Sequence, residues 1–271
     1  MKYNLKKPAV LDVSRWQGQV DWSTVAPTPV LVICKASEGV DSMDTTFVSN
    51  WANLKALNLG RGAYHFFHAE MDAGQQFQNY KNAIAQAGGF LPTDMPPALG
   101  VEGLEVAAPE IQRGAAAAIK TWLDQAQAFS GKMPVIYTSK YQWSFVTDQN
   151  GKTPAWSGSY PLWVAWYPDK PDNFSAPAAG VIHTGWTQWA VWQYADNGQN
   201  AHCPDVRITH DGQHLVPGSA AEERIGGVRQ AVEMKAAGQD DEKDHQDDIY
   251  RDLVNAIIGQ EAVCACQYRS K

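Results

Sequence analysis

The chain has 271 residues, 44% of them hydrophobic and 19% charged, ordinary globular proportions that exclude wholesale disorder, collagen and coiled coil. Lysine and arginine number 22 against 29 acidic residues, a formal charge of −7, and no basic run is dense enough to track a phosphate backbone, so nucleic acid is not an expected partner. No apolar run approaches the roughly 20 residues of a membrane helix, and the opening MKYNLKKPAVLDVS carries positive charge without a signal peptide's apolar stretch. The expectation is a soluble chain without a membrane span and without Sec-dependent export.

In chain order, AVLDVS, VLVICKA, GAYHFF, PALGVE, PVIYTS, PLWVAWY and WAVWQY read as strands, being short apolar or β-branched runs bounded by turn residues. Residues 45–58, 71–87 and 109–130 read as helices. In the last of these, Ile111, Ala115, Ile119, Trp122, Ala126 and Phe129 recur at helical spacing, with Pro109 at the start and Gly131 just past the end. Near-continuously apolar strands alternating with helices predict a mostly parallel sheet buried on both faces. Seven or eight such strands in about 210 residues favour closure into a β/α barrel.

All 11 tryptophans fall between Trp16 and Trp192, and the composition changes near Pro217-Gly218-Ser219. The predicted organisation is a barrel over 1–219 and an acidic tail over 220–271, where 11 acids face 7 bases. Helical periodicity at Ile225, Val228 and Val232, and again at Ile249, Leu253 and Ile257, predicts a helical extension serving as an interaction segment. Cysteines 34, 203, 264 and 266 lack zinc-type spacing and read as free thiols.

Strand ends in a parallel barrel deliver side chains to one mouth, so polar residues there are the candidates for chemistry. Asp12, Glu38 and Glu102 supply carboxylates, and Tyr64, Tyr137, Trp163, Tyr167 and Gln193 sit in the neighbouring strand segments. Acids among aromatic faces suit sugar chemistry, since a ring covers the apolar face of a pyranose while an acid serves the glycosidic oxygen. Each has a plainer alternative: core packing for the aromatics, and for Trp186, Trp189 and Trp192 above all; an ion pair of Lys35 with Glu38; a structural role for His65 and His68 in place of a metal site. His183, His202, His210 and His214 read as a solvated loop.

The blocks LDVSRWQGQVDW, KASEG, GAYHFF, ALGVEG, PVIYTS, PLWVAWY and WQYADNG, in that order over roughly residues 8–215, resemble glycoside hydrolase family 25. These are the Chalaropsis-type lysozymes, or N-acetylmuramidases, of phages, bacteria and fungi. The resemblance implies a modified β/α barrel that cuts the β-1,4 bond between N-acetylmuramic acid and N-acetylglucosamine in peptidoglycan, with no cofactor or metal. It implies a general acid at Glu102, an aspartate closing the first strand at Asp12, and a late aspartate at Asp205, with Asp196 as the fallback. A chain of this kind fits a phage product acting at the bacterial cell wall, in the virion or released from the host cytoplasm by lysis.

The resemblance breaks at one position. Where the family reads Asp-x-Glu this chain reads Gly100-Val101-Glu102, so the carboxylate implied to orient the substrate's own acetamide is missing, and Glu105 lies three positions on, out of strand parity. Loss of one positioned acid commonly costs about 10²–10⁴ in rate. The alternative expectation is therefore an impaired or inactive module that binds glycan or serves as a tail or baseplate part of a virion.

Overall fold

A computed structural model of the protein describes residues 10–25, 29, 31–167, 185–195 and 264–267. All seven predicted strands are present: β1 (Val10–Val13), β2 (Leu31–Glu38), β4 (Gly60–Phe67), β5 (Ala98–Val101), β6 (Val135–Ser139), β7 (Leu162–Ala165) and β8 (Val191–Ala195). A two-residue strand β3 (Ser42–Met43) folds back antiparallel on β2, and β9 (Cys264–Gln267) comes from the far end of the chain.

Leaving β3 aside, the strands are parallel and follow the order β1, β2, β4, β5, β6, β7, β8, β9. The last of them returns to the first, because β9 pairs with both β8 and β1 while β1 also pairs with β2. The ring is closed, with no free edge among these eight strands, which satisfies every ladder without a cap. Cys264–Gln267 falls inside the segment read from sequence as a helical tail, and these four residues are a barrel strand instead. The rest of 220–271 lies outside the described residues, as does the 219/220 boundary.

The strands are apolar on both faces because each face has its own core. Val10, Leu31, Ile33, Ala98, Val135, Tyr137, Trp163 and Val191 fill the barrel interior, and Met95 plugs its base. Leu11, Val13, Val32, Cys34, Leu99, Val101, Ile136, Leu162, Val164 and Trp192 belong to the outer core, to which α1 (Phe47–Ala56), α2 (Ala73–Gln86) and α3 (Pro109–Ser130) also contribute their buried faces. α3 has the predicted bounds: Pro109 occupies its first turn, where a missing N–H costs nothing, and Gly131 ends it at φ 70°. Asp72 caps α2 by accepting from the backbone N–H of Gln75 at 2.8 Å.

His65 packs in the outer core. It is fully buried on the outer side of β4, within 2.8 Å of Ser37 Oγ and 3.3 Å of Gln76 Oε1, and it stacks on Trp122. Burial holds its imidazole down to about 3, so it stays neutral throughout the physiological range. Among the described residues no group of three or more His, Cys, Asp or Glu could hold a metal ion, and no helix is long and apolar enough to cross a membrane. Cys34 is a buried free thiol whose ionisation burial opposes strongly.

Below the barrel, Arg61 and Asp94 form a buried, two-pronged pair at 2.6 and 3.0 Å. Arg61 also donates to the Trp51 carbonyl and lies 4.1 Å over the Trp51 ring, while Asp94 accepts from the Leu91 N–H. Removing one partner strands the other charge without water. Asp94→Ala is expected to lower the free energy of unfolding by about 3–5 kcal/mol, read from urea midpoints; a change below about 1 kcal/mol overturns this account of the pair.

Candidate active site at the barrel mouth

Strand pleating fixes which residues reach the mouth. Moving two positions toward the C-terminal end from each apolar inner residue leads from Val10 to Asp12, from Ile33 to Lys35, from Ala98 to Gly100 and then Glu102, from Trp163 to Ala165 and then Tyr167, and from Val191 to Gln193. Tyr64 joins them from β4, packed against the interior cluster. The inner columns on β1, β2 and β8 thus turn from hydrocarbon to a polar group in one step, and those on β5 and β7 do so a step later.

At the mouth a single hydrogen-bonded chain crosses the interior. Asp12, only 2% exposed, accepts from Gln193 Nε2 through Oδ2 at 3.0 Å. The Gln193 carbonyl oxygen accepts from the Tyr137 hydroxyl at 2.6 Å and from the Tyr167 hydroxyl at 2.7 Å. Gln193 is 1% exposed, whereas Tyr167 is 43% exposed at the rim. Beneath lies Trp163, buried edge-on to Tyr137 (centroids 4.6 Å) and Tyr64 (6.3 Å); it is floor and not wall. Its indole N–H has no hydrogen-bond partner among the described residues.

The electrostatics follow from this burial. Desolvation pushes the Asp12 carboxyl up to about 7, the Gln193 bond pulls part of that back, and the negative charge of Glu102 adds to the rise. The Tyr64 and Tyr137 hydroxyls are pushed well above their ordinary value by burial first, then Tyr64 by Asp12 and Glu102, and Tyr137 by Glu102, Tyr167 and Asp12. Glu102, partly exposed past the end of β5, therefore shares one field with Asp12 and both tyrosines.

On the β2–β4 side of the rim, Glu38 accepts from Lys35 Nζ at 2.6 Å and from His68 Nε2 at 3.0 Å, and His68 Nδ1 also lies 3.3 Å from Glu70. Burial works to raise the Glu38 carboxyl, but the bonds from Lys35 and His68 together hold it below the usual range. Glu38 is thus both ion-paired and at the rim.

Gly100 faces the interior at the Asp12 level. A Cβ built there meets the His65 carbonyl oxygen at 3.5 Å, Phe66 Cα at 3.9 Å and Tyr137 Cδ1 at 3.9 Å, all ordinary contacts. Neither crowding nor backbone conformation demands glycine. Glu105 lies beyond Gly103, whose φ of 76° turns the chain out of the strand into a single 3₁₀ turn (Leu104–Val106), so Glu105 is exposed and off the inner column. Asp205 and the fallback Asp196 lie outside the described residues, as do His183, His202, His210 and His214.

Two aromatics that the sequence reading did not single out stand on the same end of the barrel. Trp16, 62% exposed, follows β1 on a short turn that Ser14 and Gln17 cap and that Asp44 anchors through the Arg15 N–H. Tyr141, 61% exposed, opens α4 (Lys140–Trp143) directly after β6. β1 and β6 lie opposite each other in the ring, so these two rings mark the mouth's far sides. Their signal in the sequence is position alone, just after a strand end.

The family model for glycosyl hydrolases family 25 matches residues 11–203. The uncharacterized protein YegX of Escherichia coli K12 is 30% identical over 197 residues, 70% of this chain and 63% of YegX, so the chain spans under two thirds of that relative's length. The N,O-diacetylmuramidase of Chalaropsis is 30% identical over 195 residues, 68% of this chain and 86% of that protein. In fold, the bacterial lysozyme of Streptomyces coelicolor superposes with a TM-score of 0.58 at 24% identity, covering 80% of this chain and 95% of that one.

Asp12 makes stability pH-dependent in a defined direction. In the folded chain its carboxyl titrates at about 7, against 3.8 ordinarily. Between those values the folded state keeps a proton that the unfolded chain gives up, so stability falls as pH rises through that window and stays lower above it. Asp12→Asn removes the penalty. The variant is expected to match the native chain at pH 4 and to exceed it at pH 8 by roughly 3 to 4 kcal/mol, measured by urea unfolding at both pH values; an equal difference at the two overturns the assignment.

Proposed function

Because the chain belongs to glycosyl hydrolases family 25, we propose that it hydrolyses the β-1,4 bond between N-acetylmuramic acid and N-acetylglucosamine in peptidoglycan. The observation that carries this reading is that Asp12 and, one repeat higher past the end of β5, Glu102 share the barrel mouth, where the charge of Glu102 raises the Asp12 carboxyl, among tyrosines and over an aromatic floor.

In this reading Glu102 gives its proton to the glycosidic oxygen as the bond to the anomeric carbon breaks. The acetamide oxygen of the same sugar attacks that carbon, and Asp12, through the carboxylate oxygen not held by Gln193, takes the acetamide N–H proton as the ring closes. Water then adds to the anomeric carbon, giving a proton to Glu102, while Asp12 returns its own to the reopening acetamide. Both groups end as they began. With position 100 bare, Asp12 is the carboxyl left to face the acetamide, and a pKa near neutrality suits a group that takes and returns a proton. Trp16 and Tyr167 offer rings for sugar faces at the rim.

A second reading is favoured by Gly100 itself: a module that keeps the glycan contacts and has lost turnover. Reducing-end release from purified peptidoglycan across pH 4 to 8 separates the two. Turnover by the native chain, a drop of about 10²–10⁴ in Glu102→Gln and a rise of one to two orders of magnitude in Gly100→Asp support hydrolysis. Sedimentation with peptidoglycan and no release from any of the three proteins supports the binding module.

A further inference from the structure

We infer that Gln193 is a positioning residue whose amide is locked in one orientation by the hydroxyls of Tyr137 and Tyr167, and that this lock is what presents a donor, and not an acceptor, to Asp12. A carboxamide has one acceptor end and one donor end. Two hydroxyls donate to Oε1, at 2.6 and 2.7 Å, and occupy both of its lone pairs. Nε2 must then point the other way, where Asp12 Oδ2 receives it at 3.0 Å. Burial keeps Tyr137 protonated, so it retains the proton that it donates to Oε1.

The orientation decides which form of Asp12 the protein favours. A donor stabilises the carboxylate; a flipped amide would present Oε1 and stabilise the protonated acid. Tyr137 and Tyr167 thus act on Asp12 without touching it, and Tyr167 does so from the rim, where a glycan would contact it. Tyr64 on β4, Glu102 past β5 and the two tyrosines beyond Gln193 face the same carboxyl; the Lys35–Glu38 pair stands off on β2 and Asp44 lies behind the Arg15 turn. On β9 the register partner of Asp12 is the uncharged Gln267. The effect on rate rests on Asp12 facing the acetamide as proposed above; the effect on titration does not.

The test follows the ¹³C titration of the Asp12 carboxyl in the free protein, with Asp12→Asn identifying the signal. One remaining hydroxyl still holds Oε1, so Tyr137→Phe and Tyr167→Phe singly are expected to move the midpoint little. The double variant is expected to raise it by about one pH unit, and Gln193→Met, which removes the donor outright, to raise it as far. A double variant that titrates like the native chain, or single variants that each shift as much as the double, overturns the lock. If the double variant fails to fold, Gln193→Met decides: an unmoved midpoint there removes Gln193's hold on Asp12. The pH profile of reducing-end release should shift with the midpoint; a shifted midpoint with no release from any protein leaves the lock standing and removes the hydrolytic reading.

Discussion

On β1, β2 and β8 the inner columns of the barrel change from apolar to polar over a single step of the pleat, and the rest of the site depends on that step. Below it, Val10, Ala98, Trp163 and Val191 exclude water. One repeat higher, on the same strands, stand Asp12, Gly100, Ala165 and Gln193. Because alternate residues share a face, no loop has to place these groups; ladder register does so, and a slip by one residue would exchange the whole set with the outer core. The closed ring makes such a slip costly on every neighbour at once.

The same geometry explains why the mouth is electrostatically tense. Asp12 projects from a four-residue strand buried on both sides, so it is desolvated before any partner is considered, and a single amide donor offsets only part of the cost. Glu38, at the C-terminal end of β2, meets the opposite fate because Lys35 and His68 reach it directly. Two carboxylates at one end of one barrel are thereby held in different states, one near neutrality and one firmly ionised. Environment, not residue type, separates them.

Much of the fold was legible in the sequence because the signals were local. Each of the seven strand runs is mostly apolar, and α3 carries its periodicity, its proline and its glycine in the right places. What stayed hidden was non-local. Cys264–Gln267 has neither length nor alternation, and only pairing with β1 and β8 makes it a strand. Strand ends brought out Asp12, Glu102, Tyr137, Tyr167 and Gln193 as separate candidates, and the family resemblance brought out Gly100; nothing in the sequence joined Asp12, Gln193, Tyr137 and Tyr167 into one chain. Trp163 read as a candidate contact, and its place in the floor follows from the inward side of β7, which sequence leaves open until closure is known.

The bond from Gln193 to Asp12 joins residues 181 positions apart. During synthesis the first strand is therefore made long before the strand that completes its surroundings, and a chain translated only through α3 lacks the strands that pair with the outer edges of β1 and β5. Long-range pairings of this kind are slow to form and leave strand edges exposed to other chains meanwhile. The hydrogen-bonded chain at the mouth cannot form before β8 has been made, and the ring cannot close before β9.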